Sequence, residues 1–429
     1  MQSLCRWNIR RNVVFLAMIM TVAGVLVLYN SDEDDHDVRS SVVQRNADDK
    51  YDFVVHASIH HTDDCFRNNI RYGIEHLYKN VLLWRSSKNS KCKASFEKFD
   101  KIYRVDIREG KIYFHPKFAN KVHEWLGYDP KLFEEVKRQK VTHVYHKYSH
   151  KLTAYNPLRA KRPTPKPQKP PKLYIEELIN QTLPGCDFCN AAIMTAGEIF
   201  GRVQGKSSRS AANTFKIDKW HGLFIPDKHS ILEITIQEFV DLFNTSLQWF
   251  GTVASIDRNA RFPVLFWDTF PAAGASQVHV HVHGILGDEL YRGALNAQLR
   301  VSNQYISETS RNYWQDLVEV HDRLGLAAFF GKAVAIAPLT SEKDHELLLI
   351  SQMPNTDIYS LLYFVIQTYH SIDRFCYSSS MALPLIGYER LLRKSESLPT
   401  IIRIGTRGEC SSTVNDVYTM SLNWQNSTN

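Results

Sequence analysis

A chain of 429 residues, 44% of them hydrophobic, is too long for one small core and too apolar to be a disordered tail. The formal charge of +7 is partly local, because Lys and Arg crowd into Lys137–Lys172 with few acids between them. No aromatic platform is interleaved with those basic residues, which argues against a nucleic-acid surface.

In chain order, a short N-terminus (1–12) precedes Val13–Tyr29, an uncharged run of 17 residues close to the shortest length that spans a bilayer. Arg6, Arg10 and Arg11 stand before it and Ser31-Asp-Glu-Asp-Asp follows. The positive-inside rule therefore predicts a type II signal-anchor, with the body in the Golgi or ER lumen. A cleaved signal peptide near Ala23-Gly24 is the competing reading. Lumenal placement would make three glycosylation sequons readable: Asn180-Gln-Thr182, Asn244-Thr-Ser246 and Asn426-Ser-Thr428. It would also let Cys65, Cys92, Cys376 and Cys410 form disulfides.

After an acidic stem (30–50), region 51–150 mixes short β-like runs with helical ones and carries no motif with a readable chemistry. Its His60-His61 and Cys65 have no spacing that demands a metal. Residues 151–172 hold six prolines between Pro157 and Pro171 and read as a Pro/basic linker. From 173 to 295 the pattern becomes regular. A helix precedes Cys186-x-x-Cys189, the strand HGLFIP leads to a long helix over about 236–256, and the strand FPVLFWD follows. Residues 277–286, QVHVHVHGIL, then alternate histidine with valine at the period of a strand. Residues 296–429 repeat the theme weakly, with strands, one long helix and no second histidine strand.

His279, His281 and His283 therefore share one face, while Val278, Val280 and Val282 bury on the other. Metal ligation, chance, charge sensing and catalysis all remain open for such a row. One strand alone spreads the outer histidines too far to close a tetrahedral site. The preceding turn, Gly274-Ala275-Ser276, offers amides and a hydroxyl to an anion. An imidazole beside a phosphate site can attack phosphorus through Nε2, provided that Nδ1 keeps its proton and an acceptor holds it. For Cys186 and Cys189, a disulfide, a redox pair and a metal site are all open.

These residues resemble the histidine triad superfamily, in its galactose-1-phosphate uridylyltransferase and dinucleoside polyphosphate phosphorylase branch. Asp268–His283 resembles that branch's Asn-(x)5-Gly-(Cys/Ala)-Ser-(Asn/Gln)-x-His-x-His-x-Gln. Ile225-Pro-Asp-Lys-His229 resembles its Pro-x-x-His strand end, and Tyr155–Pro163 its Arg-Ala-Lys-Arg-Pro. The resemblance covers roughly Tyr155–Asp288 and extends loosely to the C-terminus. It implies an α+β fold, a half-barrel antiparallel sheet with helices followed by a second, degenerate half.

The resemblance further implies a nucleotidyltransferase or phosphorylase acting on a nucleotide sugar or dinucleotide through a covalent nucleotidyl-His281. In that reading His281 donates Nδ1–H to the carbonyl of His279, and Ser276 and His283 assist it. Gly274, Ala275 and Gln277 of the turn, with Arg159 and Arg162, hold phosphate, while Asn213 and Asp268 contact the nucleotide. Cys186, Cys189, His229 and His279 bind a structural zinc. The chain departs from the pattern at Asp268, where the branch has Asn, at Thr214, which replaces an acid, and at His283. The uridylyltransferases have Gln at that last position, and His there resembles the hydrolase members. A hydrolase using water, and a catalytically weak nucleotide-binding scaffold at the membrane, are the alternatives. A homodimer is left open.

Overall fold

The computed structural model describes residues 73–163, 169–386 and 397–412, together with the backbone of 425–427. The expected anchor at 13–29, the stem and His60, His61 and Cys65 lie outside them. Among the described residues no helix is long and apolar enough to cross a membrane. That finding corrects the type II placement, which no described helix supports, and the lumenal body inferred from it has no structural support either. The sequons also lose their premise, and the hydroxyl of Ser246 is buried within a helix, donating to the carbonyl of Phe243 at 2.6 Å.

Region 73–155 is built of four helices, α1 (Ile74–Ser86), α2 (Ser90–Ile102), α3 (Pro116–Trp125) and α4 (Pro130–Lys137), around a meander of β1 (Tyr103–Lys111), β2 (Arg138–His146) and β3 (Leu152–Tyr155). Proline opens α3 and α4, where its missing N–H costs nothing, and Asp129 caps α4 by accepting from Lys131 and Leu132. The stretch read as a Pro/basic linker thus opens with a paired strand, β3.

The next segment contributes α5 (Pro171–Thr182), the single turn α6 (Ala191–Met194), β4 (Ser208–Ala212), β5 (His221–Pro226), α7 (Ile236–Ile256), β6 (Phe262–Asp268) and β7 (Val282–Gly287). Thr235 and Glu238 form a capping box at the start of α7, which buries Phe239, Leu242, Phe243, Trp249, Phe250 and Val253 against the sheet. The last segment supplies α8 (Gly293–Thr309), α9 (Tyr313–Arg323), β8 (Ala327–Phe330), β9 (Ala333–Ile336), β10 (Leu347–Ser351), α10 (Thr356–Ser371), β11 (Tyr377–Ala382) and β12 (Thr400–Thr406).

Nine of these strands make one antiparallel sheet in the order β4-β5-β7-β6-β11-β12-β10-β9-β8. The order reads as two related halves meeting at β6 and β11. β9-β10-β12-β11 repeats β4-β5-β7-β6, and a long helix follows the second strand of each half. In that correspondence β12 stands where β7 stands, and its sequence TIIRIGT carries no histidine. This is the α+β, two-half arrangement expected, with the second half lacking the triad. One boundary differs. Regular pairing of the histidine segment starts only at Val282, so His279 and His281 sit on a bent lead-in to β7, where a side chain claims the backbone.

Region 73–155 packs on the second half. Trp84, Phe99, Val144 and Tyr155 share a buried cluster with Tyr305, Trp314, Leu348 and Ile350. Polar contacts fix the register: Tyr155 donates to the carbonyl of Leu339 at 2.8 Å, and Nε2 of His146 lies 2.9 Å from the hydroxyl of Tyr313. Lys151, just before β3, pairs with Glu342, which also meets Nη2 of Arg403 at 3.1 Å, and Nε of Arg403 donates to Glu346 at 2.7 Å. Burial works against the charge on Glu342, yet Arg403 and Lys151 hold its carboxyl down to about 2. Removing Arg403 takes the guanidinium from the Glu346 carboxylate, whose side chain is 4% exposed and keeps the amides of Glu342 and Lys343 as donors. Arg403→Leu is therefore expected to cost about 3–5 kcal/mol, read as a lower midpoint in chemical denaturation. A midpoint equal to wild type would show that the ion network holds nothing.

Candidate active site

The site forms where β6 leaves the sheet and the chain returns as β7. Asp268 ends β6, and Thr269 anchors the exit by accepting from the amide of Tyr377 at 3.0 Å. A short turn over Pro271–Ala273 follows, and Gly274 closes it at φ 114°, a left-handed conformation that glycine adopts without strain. A Cβ there would sit 3.4 Å from Asp268 Oδ2, so the turn lies directly over that carboxylate.

The turn amides depart from expectation. Gly274 N–H donates to the carbonyl of Pro271 at 3.0 Å and Ala275 N–H to that of Phe270 at 3.2 Å. Those two amides are used in closing the turn. Ser276, exposed, and Gln277 follow, and among the described residues no hydrogen bond occupies the Ser276 hydroxyl or the amides of these two. They are the groups left for an anion.

His281 is 3% exposed, and its Nδ1 lies 2.9 Å from the carbonyl of His279. A carbonyl only accepts, so Nδ1 carries the proton and Nε2 keeps its lone pair. Nε2 has no hydrogen-bond partner among the described residues. Burial lowers the pKa of this ring, while the His279 carbonyl and the Asp268 carboxylate pull the other way. The result is a neutral imidazole with a fixed tautomer and an available nucleophilic nitrogen.

His279 faces the other way. Its Nε2 meets the carbonyl of Pro226 at 2.9 Å, which turns Nδ1 toward Cys186 and Cys189, each with Sγ 3.5 Å away. Nδ1 of His229 lies 3.5 Å from Cys189 Sγ, and its Nε2 lies 3.2 Å from the hydroxyl of Thr182. All four candidate ligand atoms fall within 4.8 Å of one another. With zinc–sulfur near 2.3 Å and zinc–nitrogen near 2.0 Å, the sulfur–nitrogen edge of a tetrahedron is roughly 3.5 Å. The residues therefore fit a zinc ion. Both cysteines are free thiols. Burial and the neighbouring Cys186 push Cys189 up to about 11.

Several neighbours escaped the sequence reading. Phe188, inside the CxxC, sets its ring against His279 at 6.0 Å and His281 at 5.1 Å, joining the metal loop to the nucleophile. His283 stacks on Phe266 with centroids 4.8 Å apart, and its Nδ1 lies 3.1 Å from Nε2 of His221. The pairing of β5 with β7 explains this: Leu223 faces His283, so His221, two residues away, shares the face. The alternation that exposed the triad could have exposed His221 as well. Arg407, from the second half, donates to the carbonyl of Ala273 at 2.9 Å and to Ser378 Oγ at 3.0 Å, bracing the turn from below. The Cys376–Cys410 disulfide closes the segment that carries it.

Asn213 joins this site through His221, with Nδ2 3.4 Å from Nε2. Arg159 lies in a short 3-10 turn over Pro157–Lys161 and Arg162 ends it. Arg159 Nε is buried without a hydrogen-bond partner, and among the described residues no contact joins either arginine to the histidines.

Two α+β halves share one sheet, with the alternating histidines at the mouth of β7, as the sequence led us to expect. No protein-family model matches the chain, and no curated protein does. Among solved structures, an ADP-glucose phosphorylase from Arabidopsis thaliana with bound ADP-glucose is similar at 17% identity, covering 64% of this chain and 91% of its own, with a TM-score of 0.49. A GalT-like protein from the same plant matches at 17% identity over 56% of this chain and 86% of its own, TM-score 0.45. Yeast Ap4A phosphorylase in complex with AMP matches at 11% identity over 74% and 90%, TM-score 0.30. Likeness at this level assigns no activity, which has to come from the residues themselves.

Proposed function

We propose that the protein is a nucleotidyltransferase or phosphorylase that acts on a nucleotide sugar or dinucleotide through a covalent nucleotidyl-His281. The observation that carries this reading is the His281 ring, with Nδ1–H held by the His279 carbonyl and Nε2 free to react. Nε2 attacks the α-phosphorus, the bond from phosphorus to the leaving phosphate oxygen breaks, and the nucleotidyl group rests on His281. An acceptor oxygen then displaces Nε2 and the nucleotidyl group leaves with it. Ser276 and the amides beyond it hold the phosphoryl oxygens, and Asn213 and Asp268 lie on the nucleotide side.

Cys186, Cys189, His229 and His279 hold a structural zinc, which when bound fixes the lead-in to β7. The ordering effect reaches His281 through the His279 carbonyl, with no step passing through the ion. A hydrolase is the second reading, because His283 stands with its ring 5.1 Å from that of His281, where a base for water would stand. Incubation with α-labelled ADP-glucose and Ap4A, quenched in alkali and mapped by peptide, tests the main reading. Acid-labile label on the His281 peptide is the expected result, and its absence with every nucleotide donor tried would overturn covalent catalysis.

A further inference from the structure

The role of His283 follows from a chain of contacts that begins at a backbone amide. Ile217 N–H lies 3.3 Å from Nδ1 of His221. A peptide N–H only donates, so Nδ1 of His221 accepts and the proton of that neutral ring sits on Nε2. His221 Nε2–H therefore donates to His283 Nδ1 across 3.1 Å, which leaves the proton of His283 on its own Nε2. Asn213 Nδ2 also stands 3.4 Å from Nε2 of His221, but it is the longest contact of the set, and the Asn213 Oδ1 is held by Phe215 N–H at 2.9 Å. The side-chain amide can yield, and the peptide cannot. Burial keeps both rings neutral, lowering His221 and pushing His283 down to about 3. Stacking on Phe266 at 13° fixes the plane of His283.

We infer that His221 is a positioning residue that locks His283 as a neutral Nε2–H donor to a phosphoryl oxygen of the group carried by His281, and so denies His283 the role of base toward water. The inference rests on the covalent reading above and decides between its two forms. A glutamine amide offers a phosphoryl oxygen the same N–H, so glutamine at this position would keep the donor that the locked histidine supplies. The intermediate then has no imidazole base with which to activate water. It waits for an acceptor that brings its own nucleophilic oxygen, such as inorganic phosphate or a sugar phosphate.

A double-mutant cycle on the full chain tests this, with ADP-glucose as donor and inorganic phosphate as acceptor. His283→Ala removes the donor and is expected to lower kcat about 10²-fold, whereas His283→Gln keeps an N–H and is expected to lose less than about tenfold. His221→Phe frees the tautomer of His283. It is expected to lower kcat about tenfold with KM unchanged, to raise the ratio of hydrolysis to phosphorolysis, and to add nothing in the His283→Gln background. An equal loss in both backgrounds would make His221 merely structural, and a His283→Gln as damaged as His283→Ala would show that His283 must take a proton; either overturns the inference. Imidazole ¹⁵N NMR of the wild type gives a readout that needs no substrate. An unprotonated Nδ1 on His283 is expected, and a protonated one overturns the lock. The lock present with no label on His281 would sink the covalent reading alone.

Discussion

His281→Ala is expected to abolish turnover of every donor, by about 10⁴-fold or more, because removing the nucleophile of a covalent mechanism leaves only binding and the anion contacts. Nucleotide binding is expected to change far less, since Ser276, Asn213 and Asp268 stay in place. His281→Asn sharpens the experiment. Its amide can still donate to the His279 carbonyl, which accepts from Nδ1 at 2.9 Å in the wild type, but it has no nitrogen that can attack phosphorus. Both variants should be equally inactive and should lose the acid-labile label. Turnover by the asparagine variant would show that the ring acts only as a hydrogen-bonding group. Label persisting in the alanine variant would place the nucleophile elsewhere.

The second large effect concerns the metal. Purified protein is expected to carry about one zinc per chain, and Cys186→Ser or Cys189→Ser to lose it. A structural zinc site of this ligand set supplies several kcal/mol or more of folding free energy. At about 2–4 °C of Tm per kcal/mol for a body of this size, the midpoint should fall by about 10 °C or more. Catalysis should fall with it, because the His279 that faces the cysteines also supplies the carbonyl that orients His281. Treating the wild type with a strong chelator should reproduce both losses. Metal-free protein that is fully stable, with a Cys186–Cys189 disulfide found by thiol titration, would remove the metal from the account.

The clustering of Cys186, Cys189, His229 and His279 was legible through the resemblance of their separate segments, and the contact of His281 with the His279 carbonyl lies within one alternating run. His221 and Arg407 were not legible, because they reach the site through strand pairing and through the opposite half, which no single segment reveals. The likeness of the second half to the first survives in strand order rather than in residues, since β12 keeps the position of β7 without its histidines. Region 73–155 hid its role for a related reason. Its apolar residues pack against Tyr305, Trp314 and Ile350, some two hundred residues away, and the prolines after β3 masked the strand itself. The expected membrane topology rested on the apolar run at 13–29 and its flanking charges, all outside the described residues, and no described helix supports it.

The seam between β6 and β11 has a consequence for anyone dissecting this protein. β6 carries Leu265 and Trp267, both buried, and its outer edge is sealed by pairing from Val264↔Ala382 to Asp268↔Ser378. A gene fragment ending near residue 295 would keep all three triad histidines and the Cys186–Cys189–His229–His279 cluster yet present that edge naked, as a template for another copy of itself. The half that carries the triad thus depends on the half that lacks it to cover its sheet edge, and the reverse holds for β11.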